Sequence, residues 1–173
     1  MKRRSLLVLG ILTLLILLFL AGPRVTVEHR PYTEVLPDDL TSHLAVSEAA
    51  YPDITPGAEK TIIWANPQHQ QTELAIVYLH GFSATRQETA PLCDDLAVSL
   101  AANLFYTRLT GHGRSNAAMA EASAGDWLKD AEEALAIGKR LGRKVIIIGT
   151  STGGTLATWL AATQNDPQVL AYV

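Results

Sequence analysis

Hydrophobic and polar positions along this 173-residue chain fall into three regimes. The first is an apolar run from Leu6 to Gly22, interrupted only by the hydroxyl of Thr13 and preceded by Lys2, Arg3 and Arg4. It has the minimum length for a helix that crosses a bilayer, and it is longer than most signal-peptide cores. A cleavage site needs small residues at the −3 and −1 positions. Cutting after Ala21 leaves Phe19 at −3, and cutting after Gly22 leaves Leu20 at −3 with Pro23 following. The pattern therefore predicts an uncleaved transmembrane signal anchor over residues 1–23, with the basic cluster on the cytoplasmic side and the rest of the chain exported.

Residues 24–58 form the second regime, rich in Pro and Asp, with one short helix expected around Leu40 to Tyr51. This stretch reads as a spacer and covering segment without chemistry, and His29 and His43 read as solvated. The third regime, residues 59–173, alternates. Short aliphatic runs at 61–65, 74–81, 103–109 and 144–149 predict strands, and "VLAYV" at the end looks like the start of another. Between them, 86–102 predicts a helix with inward positions Leu92, Leu96, Val98 and Leu100. Residues 125–142 predict a second helix, with Asp126 as N-cap, Trp127, Ala131, Leu135 and Leu141 inward, and Gly142 at C′.

The run from Val145 to Ile148 has no polar alternation, which fits a strand covered on both faces. The expected architecture is α/β, a three-layer, mostly parallel sheet wrapped by helices. Ligands of such sheets bind outside the carboxyl ends of the strands. Three glycine-bearing loops, "HGFSAT", "TGHGRS" and "GTSTGG", leave those ends and should converge.

Composition narrows the chemistry. After residue 22, eleven basic residues face seventeen acidic ones, a net −6, which argues against a nucleic-acid surface. The single cysteine, Cys93, excludes a disulfide scaffold and a cysteine-rich metal site, and it reads as a buried small hydrophobe. No metal-ligating set is expected.

"KVIIIGTSTGGTLATWLA" carries a hydroxyl to the point where strand chemistry turns into helix chemistry. Gly149, Ser151 and Gly153 fit G-x-S-x-G, a pattern with mechanical meaning only between an entering strand and a leaving helix. There the serine occupies a strained turn that lifts its Oγ clear of the backbone. Acyl transfer also needs amides aimed at the developing oxyanion. The N–H of Thr152 is one candidate. The turn after the second strand, where Gly81 permits close approach, offers Phe82 or Ser83 as the other, with Phe82 favoured.

Strand-"HGF", strand-"LTGHGRS" and strand-"GTSTGG"-helix, in that order, resemble the α/β-hydrolase superfamily, in particular its bacterial carboxylesterase and monoacylglycerol-lipase-like branch, over about residues 60–173. The resemblance implies an esterase or lipase type of serine hydrolase acting on a small-molecule ester. Ser151 would be the nucleophile and Phe82 and Thr152 the oxyanion donors, with neither metal nor organic cofactor.

The family order is nucleophile, acid, histidine, yet the residues after Ser151 contain Asp166 and no histidine. A serine without a base is a weak nucleophile near neutral pH. The expectation is an N-terminal portion of a hydrolase, truncated after the nucleophile helix and inactive alone. His80 reads as a structural part of its turn, and His112 as part of its glycine loop. Asp166 reads as a turn residue. A membrane-tethered, non-catalytic binding module is the alternative. A nucleotide site is disfavoured, because "GTSTGGT" lacks the phosphate-binding lysine and its glycines do not match G-x-G-x-x-G.

Overall fold

The computed structural model describes residues 2–24 and 26–173, without the side chains of Lys2 and Arg3, two of the three basic residues ahead of the apolar run. Helix α1 (Lys2–Ala21) is apolar on every face from Leu6 onward and buries none of its Arg4–Ala21 stretch inside the molecule. That stretch is long and apolar enough to cross a membrane.

The remainder builds one five-stranded sheet. Strands β2 (Thr72–Leu79), β3 (Asn103–Tyr106), β4 (Gly142–Gly149) and β5 (Val169–Tyr172) run parallel, and β1 (Thr61–Ile63) lies antiparallel on β3, giving the order β1-β3-β2-β4-β5. Alternate residues of β2 face opposite ways, and both sets are apolar because both faces are covered. Ala75, Val77 and Leu79 pack with Val145 and Ile147 beneath α4 (Ala124–Leu141) and α5 (Thr152–Thr163). Ile76 and Tyr78 pack with Leu104 and Tyr106 against α3 (Leu92–Ser99). This is the three-layer α/β arrangement that the strand pattern predicts. Helix α2 (Leu40–Ala49) inserts Leu40 and Leu44 into the first core, so the segment read as a spacer also supplies core residues.

Three local readings are corrected. The helix expected over 86–102 is a 3₁₀ turn (Arg86–Thr89) followed by α3, because Pro91 lacks an N–H and holds Ala90 extended at ψ 136°. Its buried residues are Cys93 and Ala97, whereas Leu92, Val98 and Leu100 face solvent; small side chains let the helix sit close to the sheet. Helix α4 is capped by Ser123, and Asp126 closes a capping box from position N3. Gly142 is extended (φ −141°) and opens β4 directly, at a point where a Cβ would lie 2.4 Å from the Ala75 nitrogen.

Candidate active site

The parallel strands deliver their loops to one edge. After β4 the chain turns through Thr150 and Ser151 into α5, and Ser151 adopts φ 51°, ψ −109°, a conformation that costs a side-chain-bearing residue strain. Its side chain is exposed and makes no capping hydrogen bond, and among the described residues the hydroxyl has no partner at the N-terminus of this twelve-residue helix.

Glycines make this turn possible by close approach. A Cβ on Gly153 would lie 1.9 Å from the Leu79 carbonyl oxygen and 2.9 Å from that of His80, and one on Gly149 would lie 2.4 Å from the Gly153 oxygen. The Thr150 amide donates to the Leu79 oxygen at 3.1 Å. The serine turn and the "HGF" turn are thus in direct backbone contact, and a Cβ on Gly81 would lie 3.4 Å from the Thr150 oxygen. Among the described residues, neither the Phe82 nor the Thr152 amide has an intramolecular hydrogen-bond partner.

Three residues that the sequence did not single out lock the two turns together. The Glu88 carboxylate accepts from the Gly81 amide at 2.8 Å and from the Tyr78 hydroxyl at 2.8 Å, and that hydroxyl meets Thr150 Oγ1 at 2.9 Å. With Tyr78 donating to Glu88, Thr150 donates to Tyr78. Burial above all pushes the Tyr78 phenol up to about 12, keeping it a donor. A signal for this network existed: Tyr78 is the one hydroxyl in the apolar run Leu74–Leu79 of β2, and a buried phenol needs a partner.

His80 has no free nitrogen. Its Nδ1 pairs with the Gly81 oxygen at 2.8 Å, and its Nε2 accepts the Leu109 amide at 3.0 Å, fixing the neutral ring as a strut between two loops. Burial lowers its pKa to about 4. His112 lies 4.8 Å away, centroid to centroid, with Nδ1 at 3.2 Å from the Thr110 oxygen. Its ring meets Trp127 at 5.5 Å and Phe82 at 5.9 Å. Phe82 is 62% exposed, so it forms an apolar rim, whereas Phe105 and Tyr106 are core.

The other histidines lie elsewhere: His29 against Glu132 and Trp159, His69 stacked on Trp64, and His43 on α2. Among the described residues, no histidine hydrogen-bonds Ser151. Asp166 holds its turn by accepting from Lys139 at 2.6 Å and from the Gln168 amide at 2.9 Å. Although burial opposes ionisation, these bonds keep its carboxyl below the usual range. Arg114, at the loop after β3, pairs with Asp53 and Glu121.

A parallel sheet whose strand-to-helix turn offers a strained, exposed serine beside a second loop with a free amide defines an α/β-hydrolase architecture. The serine aminopeptidase S33 family model matches residues 70–173, and the chain belongs to that family of the α/β-hydrolase superfamily. Among curated proteins, it is 29% identical over 100 residues to a thermostable monoacylglycerol lipase of Bacillus sp. (strain H-257), a match covering 58% of this chain and 39% of the relative. The chain thus spans well under half the length of that relative. Among solved structures, one from work on LipS and LipT, two metagenome-derived lipolytic enzymes, superposes with a TM-score of 0.57 at 28% identity, over 65% of this chain and 43% of that one. Est1E from Butyrivibrio proteoclasticus, solved with ferulic acid bound, superposes with a TM-score of 0.53 at 18% identity, over 66% of this chain and 46% of that one, a likeness of fold.

Proposed function

We propose that this chain is the serine-bearing part of a membrane-anchored carboxylic-ester hydrolase. Ser151 is its nucleophile, and the amides of Phe82 and Thr152 are its oxyanion donors. The observation that carries the reading is the backbone of Ser151 at φ 51°, ψ −109°, which presents an unbonded hydroxyl at a helix N-terminus against the "HGF" turn. The likeness to lipolytic enzymes favours an ester over a peptide substrate.

In the proposed reaction Ser151 Oγ attacks the ester carbonyl, and its proton passes to a general base. The resulting oxyanion accepts the two amides, aided by the positive end of α5. Expulsion of the alcohol, which takes up the proton, leaves an acyl-serine that water cleaves. His80 and Asp166 are committed to other bonds, and among the described residues no histidine hydrogen-bonds Ser151, so we propose little turnover for the chain alone. Helix α1 anchors the protein, and by the positive-inside bias the globular part lies on the exported side.

The absence of a histidine beside Ser151 among the described residues also favours a second reading, a tethered non-catalytic module. Fluorophosphonate labelling separates the two: Ser151 is tagged in the first case, and Ser151→Ala abolishes the tag. A chain that stays untagged even with imidazole supplied as an external base supports the module.

A further inference from the structure

Between the apolar helix and the sheet, the chain is docked. The carbonyl oxygen of Glu28 packs onto Gly125, where a Cβ would lie 1.9 Å from it. His29 Nε2 and the Tyr32 amide both meet Glu132, at 3.2 and 2.7 Å, and Lys129 pairs with Glu34 at 3.1 Å. The Leu36 oxygen then accepts from Arg140 at 3.2 Å. The segment is therefore a strap laid along α4 from its first turn to its last.

The polarity of α4 is fixed by its neighbours. Its last residue, Leu141, accepts through its oxygen from Thr72 at the start of β2, so that end lies at the amino edge of the sheet. Its first turns lie at the carboxyl edge, where Trp127 donates to the Thr110 oxygen and packs on Phe82 at 6.0 Å. The strap thus enters at the edge that bears Ser151 and runs away from it.

Seven residue steps separate Ala21, the end of α1, from Glu28. Fully extended, they span at most about 25 Å. The eight residues of β2 are themselves roughly 26 Å long, so the amino edge stands about that much farther from the entry point.

We infer that the strap of residues 28–36, docked along α4 and a few residues from the end of α1, acts as a short tether that holds the serine-bearing edge of the sheet toward the bilayer surface. This rests on the reading of α1 as an anchor and, for its chemical meaning, on Ser151 as nucleophile. An ester then reaches the site as an amphiphile at the membrane surface, past the Phe82 rim.

The test uses the full chain in vesicles of phosphatidylethanolamine and phosphatidylglycerol doped with a headgroup-nitroxide lipid. Cys93 is buried, so bimane can be attached to Ala124→Cys at the near edge or Glu73→Cys at the far edge. The tether requires at least twofold stronger quenching at position 124 than at 73. Inserting eight Gly/Ser residues after Arg24 should narrow that difference. Equal quenching, or stronger quenching at 73, overturns the inference while co-flotation with vesicles keeps the anchor. Failure to float overturns anchor and inference together. Fluorophosphonate labelling of the same samples judges Ser151 separately, since the quenching does not depend on a reactive serine.

Discussion

Gly153 and His80 show how single residues set the distance between the two turns of the site. Any Cβ at position 153 would have to share space with the Leu79 carbonyl, 1.9 Å away, and the obstacle is backbone in a central strand that cannot swing aside. Gly153→Ala should cost at least about 2 kcal/mol, read as a lowered urea midpoint of the detergent-solubilised chain, because it pushes α5 off the sheet. A change below about 0.5 kcal/mol would refute the close contact. His80 makes a different prediction. Burial lowers its pKa to about 4 from the ordinary 6.5, so the neutral ring contributes stability that is complete above pH 6.5 and is lost as pH falls toward 4. The loss is on the order of 3 kcal/mol. Asp130, raised to about 6 chiefly by burial, acts in the opposite sense, losing stability as pH rises from about 4 toward 6, so a plain stability curve blends the two. An NMR titration of the His80 ring isolates it: a midpoint near 4 is expected, and one at 6 or above would mean that the ring is not buried between the two loops.

Strands and helices register differently in a sequence because each is decided by different partners. The strands β2 and β4 were legible because burial on both faces leaves only apolar residues to choose from. Helix α3 was misjudged because its inward face is made by Cys93 and Ala97, which a search for large apolar side chains passes over, and because Pro91 ends the preceding turn. Residues at element junctions were harder still. Glu88 lies in a 3₁₀ turn and acts through its contact with Tyr78 from a neighbouring strand, a pairing no local spacing reveals. Its carboxylate holds the Gly81 amide and, through Tyr78, Thr150, so removing it should loosen both turns at once. In Glu88→Ala, amide exchange at Gly81 and at Thr150 is expected to rise at least tenfold, with β4 unchanged. Glu88→Gln, whose amide oxygen can still accept, should restore much of the protection. Loosening confined to Gly81 would show that Tyr78 does not transmit the restraint.

At the scale of the whole molecule, the sheet brings together stretches that lie far apart in the chain, and this is where sequence reading ran short. The order of the glycine loops was visible in the motifs, since parallel topology sends every loop to the same edge. What anchors the outer part of the fold was not, because it depends on a carboxylate in a segment read as a spacer. Glu48 of α2 and Arg108, beyond β3, form a bidentate pair at 2.7 and 2.8 Å, with side-chain exposures of 8% and 4%. Arg108 also donates to the His112 oxygen at 3.1 Å, and Glu48 accepts the Lys60 amide at 3.0 Å, so one pair joins α2, the start of β1 and the loop behind the Phe82 rim. A buried pair need not contribute much net stability, yet removing one partner strands the other. Glu48→Ala should therefore cost about 3–5 kcal/mol in the urea midpoint. The joint substitution Glu48→Leu with Arg108→Met should recover most of that loss, because no charge is then left unpaired in the interior. If the double variant is no more stable than Glu48→Ala, the pair is held for its hydrogen bonds to His112 and Lys60, and the outer helix is fastened by those bonds instead of by the balance of charge.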